Sequence, residues 1–206
     1  MLKKLGIPLI PQIVCFGEDS YSDDTELDTA AFLQKLKAAT ELPKTAAPPP
    51  ALYHPIFEQA LKAGEDVIVV APSGKVSGTV RSAEVAAQDF TNLKVHVVDT
   101  QTIAGNLASL VLLAHEWACE GAKTDSILSR LDEWIPRGHI FFLVDTLEYL
   151  QKGGRIGGAK ALLGEMLQIK PILCLLNGQV EPFEQQRTKR RALKRLLEVV
   201  DDECPK

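Results

Sequence analysis

Aromatic residues are scarce, Phe, Trp and Tyr making up 6% of the chain, so a core has to be assembled from Leu, Ile, Val and Ala. Cysteines number four, Cys15, Cys119, Cys174 and Cys204, with no CxxC pair and no histidine at ligand spacing. This argues against a metal site and for the reduced thiols of a cytoplasmic protein. A surplus of positive charge is also missing: 23 Lys and Arg stand against 27 Asp and Glu, a formal charge of -4. Such a balance is wrong for a dedicated nucleic-acid binder. No run reaches the ~18 apolar residues of a membrane span. The opening MLKKLGIPLIPQIVCFG has Lys3-Lys4 ahead of apolar residues, but Pro8 and Pro11 interrupt it and no small-residue cleavage site follows. It reads as an edge-like strand over 8–16, not as a signal peptide.

What is present is an alternation of strand and helix signals. In a chain of 206 residues, 46% hydrophobic, there is enough apolar material for one large domain or two small ones. PLIPQIVCF reads as a strand, and Asp28 is placed to cap a helix through LDTAAFLQKLKAA. ELPKTAAPPP cannot be helical, because the proline triplet fixes φ and removes donors. HPIFEQALKAG reads as a helix closed by Gly64. DVIVVAP and LKVHVVDT are short, continuously apolar strands of the kind buried in a parallel sheet. SGKVSGTVRSAEVAAQ reads as a loop running into a helix, and helices are expected over 103–121 as a core helix and over 124–135, where the apolar residues have helical spacing. Beyond about residue 138 the pattern changes: HIFFLVDT is a strand, GAKALLGEMLQ a short helix, and KPILCLL and QVEPFEQ a hairpin joined at Asn177-Gly178. TKRRALKRLLEVV closes as a basic amphipathic helix. The expected class is α/β in two lobes. Residues 1–137 form a mostly parallel three-layer lobe, and 138–206 a smaller lobe with a mixed, hairpin-containing sheet.

Three stretches are candidates for chemistry. Ser73-Gly74-Lys75-Val76-Ser77-Gly78-Thr79 lies between a buried strand and a helix, where open α/β sheets bind ligands. Its Ser77 and Thr79 hydroxyls, Gly78 and the helix N-terminus suit an anion, while plain helix capping by either hydroxyl is the structural alternative. Thr45 stands before the prolines, where a rigid segment either holds one hydroxyl in place or is simply a stiff connector. DTLEYLQKGGRIGG sets Gly153, Gly154 and Arg155 after an apolar strand; adjacent glycines weaken local structure and admit close backbone approach and positive φ. His54, His96, His115 and His139 are scattered, and Asp99 and Asp145 each end a strand, where they serve as capping or turn residues as easily as acids, so no group of residues requires enzyme chemistry. The cations between Arg187 and Arg195 form either a solvated face or a docking surface for an acidic partner.

Taken in order, FGEDSYSD, PKTAAPPP, SGKVSGTVRSAEVAA, VVDT and DTLEYLQKGGRIGGAKALLGEMLQIKPIL, followed by QQRTKRRAL, resemble the DegV family of bacterial fatty-acid-binding proteins. The resemblance implies a carrier, not an enzyme, that sequesters a long-chain fatty acid between two lobes. It presents the carboxylate to the catalytic subunit of a fatty acid kinase, which makes the acyl phosphate. No other cofactor and no metal is implied. By position, Thr45, Ser77, Gly78 and Thr79 would bind the carboxylate, and Gly153, Gly154, Arg155 and Arg187 would form the pocket mouth or kinase-docking surface. An apolar tunnel of Leu, Ile, Val and Ala is expected, since each buried CH₂ contributes about 0.8 kcal/mol.

Against the family pattern, an opening strand before LGIPLIP and a C-terminal segment with a carboxylate-side histidine are missing, so truncation at both ends is expected. An unpaired strand edge left by that loss would invite a homodimer. Ala46 and Ala47 replace polar residues, and Asn106 and Ala108 replace glycines. The alternatives to a lipid carrier are an interaction or regulatory module without lipid, and a small-molecule enzyme using the Ser77 loop as an anion site.

Overall fold

The computed structural model describes residues 2–23, 25–164 and 169–203. Its first strands are β1 (Ile13–Phe16), β2 (Asp19–Ser22) and β3 (Lys44–Ala46). They form an antiparallel sheet with β1 in the middle. The strand expected over 8–16 is therefore shorter and central, not edge-like. Pro8 and Pro11 explain the shortening, since neither has an N–H to give to a ladder. The proline-rich stretch, read from sequence as non-helical, contributes β3, with Thr45 paired to Val14. Between β2 and β3 runs α1 (Thr29–Ala38), capped as expected by Asp28, whose carboxylate accepts from the Ala31 N–H at 2.8 Å.

Helix α2 (His54–Ala63) closes at Gly64 with φ 70°, the left-handed position that suits glycine. It leads into the parallel pair β4 (Val67–Ala71) and β5 (Val95–Asp99), with α3 (Thr79–Gln88) between them. Side-chain alternation in these strands builds two cores. Val67, Val69, Val95 and Val97 face Tyr53 and Phe57 of the α2 region and Ala83 and Ala86 of α3. Ile68, Val70 and Val98 face Leu110 and Trp117 of α4 (Ala104–Cys119) and Ile127 and Leu131 of α5 (Thr124–Trp134). The result is helices, sheet, helices: the expected three layers. Of α4, Leu110 and Trp117 are buried and most of its other apolar residues are half-buried, so it covers the sheet from one side.

The second lobe pairs β6 (Phe141–Leu143), β7 (Lys170–Leu176) and β8 (Gln179–Gln186) antiparallel. Asn177 and Gly178 have φ 49° and 82°, the two positive values that a type I′ hairpin needs. The ladder shifts register between Ile172 and Leu173, which leaves Phe183 as the extra residue beside Pro182. On one face Leu173 and Val180 pack against Leu147, Ala159 and Leu162, residues that flank α6 (Glu148–Lys152) and form a short 3-10 helix over Gly157–Leu162. The helix expected over 158–168 is this 3-10 turn as far as it is described; residues 165–168 lie outside the described residues. The other face is covered by α7 (Lys189–Glu203). There Arg195 grips Glu184 with Nη2 at 2.8 Å and Nε at 3.1 Å, and it also approaches Glu198 and Asp202. Lys189 binds Asp145 at 2.8 Å, so the strand-end aspartate is an ion-pair partner of α7.

Two predictions follow from the second lobe's packing. Gly157 has φ 52°, and a Cβ there would run into the Val180 carbonyl oxygen, which the backbone cannot move aside. Gly157→Ala is expected to cost about 2 kcal/mol or more, a fall in Tm of roughly 4–8 °C by calorimetry. Gly158→Ala meets only the mobile carboxylate end of Glu181 and should cost much less. Separately, the Arg195 hydrogen bonds hold the Glu184 carboxyl below its usual range. Its contribution to stability is therefore complete above the unfolded carboxylate pKa and is lost as pH falls through the lowered value. In denaturant titrations from about pH 6 to about pH 3, Glu184→Gln should lose stability less steeply than wild type.

Candidate ligand-binding site

The loop after β4 is anchored at its first residue. Ser73 is fully buried, and its hydroxyl donates to the Gly178 carbonyl at 2.6 Å while accepting from the Lys75 N–H at 3.2 Å. The hairpin tip of the second lobe thus sits on the first lobe's ligand loop. A Cβ on Gly178 would collide with the Ser73 oxygen, so this glycine serves both the turn and the contact. From β5, the Asp99 carboxylate accepts from Gly74 N–H at 3.2 Å and from Gln101 N–H at 2.9 Å. Of the two readings open for Asp99 in the sequence, turn residue or acid, these bonds fit the turn residue.

Downstream, the loop carries an ordered chain of hydroxyls. Gln12 Nε2 donates to Thr79 Oγ1 at 2.8 Å, and Thr79 Oγ1 lies 2.7 Å from Ser77 Oγ. Thr79 is buried, and leaving its O–H unpaired would cost about 1–3 kcal/mol, so it donates to Ser77. Ser77 Oγ also accepts from the Thr79 N–H at 3.3 Å. With two bonds accepted, the Ser77 oxygen keeps one unspent group, its own proton, to offer a ligand. Capping and anion binding are thus compatible here: the residue at the cap of α3 is Gly78, which makes no side-chain bond, and Ser77 stands just before it. The positive end of the α3 dipole faces the same place.

The GGR turn closes the site from the second lobe. Gly153 caps α6, and Gly154 follows with φ 72°. Gly154 N–H bonds Gln151 O at 3.0 Å and Arg155 N–H bonds Leu150 O at 2.9 Å, the paired bonds of a Schellman motif. The reversal sends Arg155 back across the lobes, where Nε donates to Val76 O at 3.1 Å and Nη1 to Gly153 O at 2.6 Å. The remaining guanidinium N–H groups are left for an anion. Between these walls lies an open cleft of about 480 Å³, lined by Ser77, Gly78, Gly153, Gly154 and Arg155 together with Lys75 and Arg81. Three cations face one carboxylate, Glu84, so the cleft favours a negative ligand. Its aliphatic lining is limited to Val76 and Val80, so it is not the apolar tunnel expected.

Of the residues singled out from sequence, Ser77, Gly78, Gly153, Gly154 and Arg155 meet at this cleft, and Thr79 stands directly behind it. Thr45 does not line it. It is exposed on β3, two residues before Ala47, which packs 3.3 Å from where a Gly78 Cβ would stand. The Pro48 carbonyl accepts from Ser82 of α3, so the Thr45 strand is tied beside the site. Arg187 is elsewhere: β8 carries it roughly 25–30 Å from the Gly178 tip. Gln12 gave no signal in the sequence, because its role depends on a contact 67 residues away. Among the described residues, no group of His, Cys, Asp or Glu could hold a metal ion and no helix is long and apolar enough to cross a membrane.

Comparison with known proteins agrees with this architecture. A family model described as "Uncharacterised protein, DegV family" matches residues 1–206. A DegV domain-containing protein of Deinococcus radiodurans is 38% identical over 97% of this chain and 70% of its own length. The structure of a fatty-acid-binding DegV family protein from Thermus thermophilus superposes with a TM-score of 0.90 at 35% identity, over 100% of this chain and 73% of that one. DegV of Bacillus subtilis, solved as a fatty acid binding protein, gives a TM-score of 0.89 at 33% identity, over 98% and 72%. The chain thus spans roughly seven-tenths of these relatives' lengths, and it belongs to the DegV family.

Proposed function

We propose that this protein is a non-catalytic, cytoplasmic carrier of a long-chain fatty acid, with the carboxylate seated at the Ser77–Arg155 cleft. The observation that carries the reading is the bonding of the Ser77 hydroxyl: with Thr79 donating to it from both its O–H and its N–H, the Ser77 proton is left to offer a ligand beside a helix N-terminus and an arginine. A carboxylate fits these donors in charge and size, and charge-assisted bonds of this kind contribute about 1.5–3 kcal/mol each. Fatty-acid binding in the Thermus and Bacillus relatives supports the same ligand class. The acyl tail then runs from the mouth between the lobes, where burial of its CH₂ groups supplies most of the affinity. Thr45, on the strand tied to α3, lends its hydroxyl to the head group from beside the cleft.

In this reading the chain performs no phosphoryl transfer. The cleft is open to solvent, so the carboxylate is accessible to the catalytic subunit of a fatty acid kinase. Arg187, exposed and far from the cleft, serves docking to that subunit and not the ligand.

The test is mass spectrometry of the purified protein, native and after solvent extraction, followed by oleate titration. A fatty acid near one per chain is expected. Ser77→Ala and Arg155→Ala should each weaken oleate binding by about 10- to 100-fold. Arg187→Ala should leave oleate affinity unchanged and lower acyl-phosphate formation when kinase is added. A protein that is empty as purified and stays empty with oleate would refute the carrier reading. Loss of oleate affinity in Arg187→Ala would refute the separation of mouth from docking surface.

A further inference from the structure

The run of hydroxyls behind the cleft begins at a residue that does not line it. Gln12 is fixed apart from the site: Pro11 precedes it, β1 starts at the next residue, and its backbone carbonyl accepts from the Asp23 N–H at 2.8 Å. From there its side chain reaches α3, where Nε2 donates to Thr79 Oγ1 at 2.8 Å. An amide has a donor end and an acceptor end, and the end that meets a hydroxyl decides where that hydroxyl sends its own proton.

Thr79 Oγ1 has one proton to give. With the Gln12 N–H on its oxygen, that proton goes to Ser77 Oγ, 2.7 Å away. Ser77 Oγ also accepts from the Thr79 N–H at 3.3 Å, so the cleft is offered the Ser77 proton. An acceptor at position 12 would turn every proton the other way. Thr79 would donate to residue 12, Ser77 would donate to Thr79, and a Ser77 lone pair would face the cleft. The run holds as many internal bonds in one direction as in the other. The two directions differ only in what they present to a head group, a donor or an acceptor.

We infer that Gln12 is a positioning residue that sets the head-group specificity of the cleft. Acting through Thr79, it selects a head that only accepts, an ionised carboxylate, over a neutral head that must also donate, such as a primary amide. The inference rests on the proposed seat of the carboxylate at Ser77, and adds that the choice of head group is made 67 positions before Thr79, outside the cleft. Lys75, Arg81 and Arg155 draw in negative charge of any kind. The direction of the hydroxyls reads where the ligand carries its protons.

Oleate and oleamide share one tail, and calorimetric titration of each into the full chain, stripped of lipid and held at about pH 8 so that a glutamate is ionised, tests this. Wild type should prefer oleate by about tenfold or more. Gln12→Glu, which can only accept, should weaken oleate about tenfold and tighten oleamide. Gln12→Met, of similar length with neither donor nor acceptor, should give a preference between the two, and it decides the matter if the glutamate variant does not fold. Added charge alone would weaken oleate and leave the neutral oleamide unchanged, so that result would overturn the inference. Parallel losses of both ligands would overturn it too, by making Gln12 a structural tie, as would a preference unchanged in both variants. Ser77→Ala separates this from the carrier reading. If it weakens oleate while the Gln12 variants keep the wild-type preference, the seat stands and the role of Gln12 falls. If Ser77→Ala binds oleate as wild type does, both fall.

Discussion

The architecture depends on how the loop 73–79 is held. Ser73 hangs on the hairpin tip of the second lobe, Gly74 on the Asp99 carboxylate of the neighbouring strand, and Val76 on Arg155 of the GGR turn. A loop at the end of a parallel strand would ordinarily be free to move. Here three parts of the chain fix it, two of them from the other lobe. The bonds that join the lobes are therefore the bonds that shape the site.

This coupling explains the expense in glycine. Gly154 and Gly178 occupy left-handed backbone, and Gly178 also admits the Ser73 hydroxyl at close range. Gly157 lets the 3-10 turn lie directly on the Val180 backbone. A side chain at Gly178 would push the hairpin tip off Ser73, one at Gly157 would strike the Val180 backbone within the second lobe, and one at Gly154 would be strained by its left-handed backbone alone. The cleft itself needs no buried acid or base. Its donors are held in place by internal hydrogen bonds, which limits the conformational entropy that binding an anion there would cost.

Much of the fold could be read from the chain because its determinants are local. Asp28 precedes its helix, Gly64 ends one, and Asn177-Gly178 joins two apolar runs; in each case the deciding contacts lie within a few residues. The two cores follow in the same way from alternation in VIVVA and VHVVD. Strand β3 could not be read, since Lys44–Ala46 has no periodic pattern and is a strand only by pairing with β1. The site divides along the same line. Ser77, Gly78 and Arg155 belong to recognisable stretches, whereas Gln12 on Thr79 and Ser73 on Gly178 are contacts between residues 67 and 105 positions apart. Arg187 follows the hairpin closely in sequence, but an extended strand separates it from the hairpin tip and it does not line the cleft.

The central claim is that a carboxylate sits in ionised form against Ser77, the α3 N-terminus and Arg155. The most direct test is carbon-13 NMR of oleate labelled at its carboxyl carbon, bound to the protein and titrated with acid. Opposite charge and donated hydrogen bonds favour the ionised form. The account therefore predicts one resolved bound signal whose pKa lies below that of oleate in vesicles, moving toward the vesicle value in Arg155→Ala. A bound carboxyl that titrates as it does in vesicles, unaffected by Arg155, would place the head group elsewhere and contradict the account.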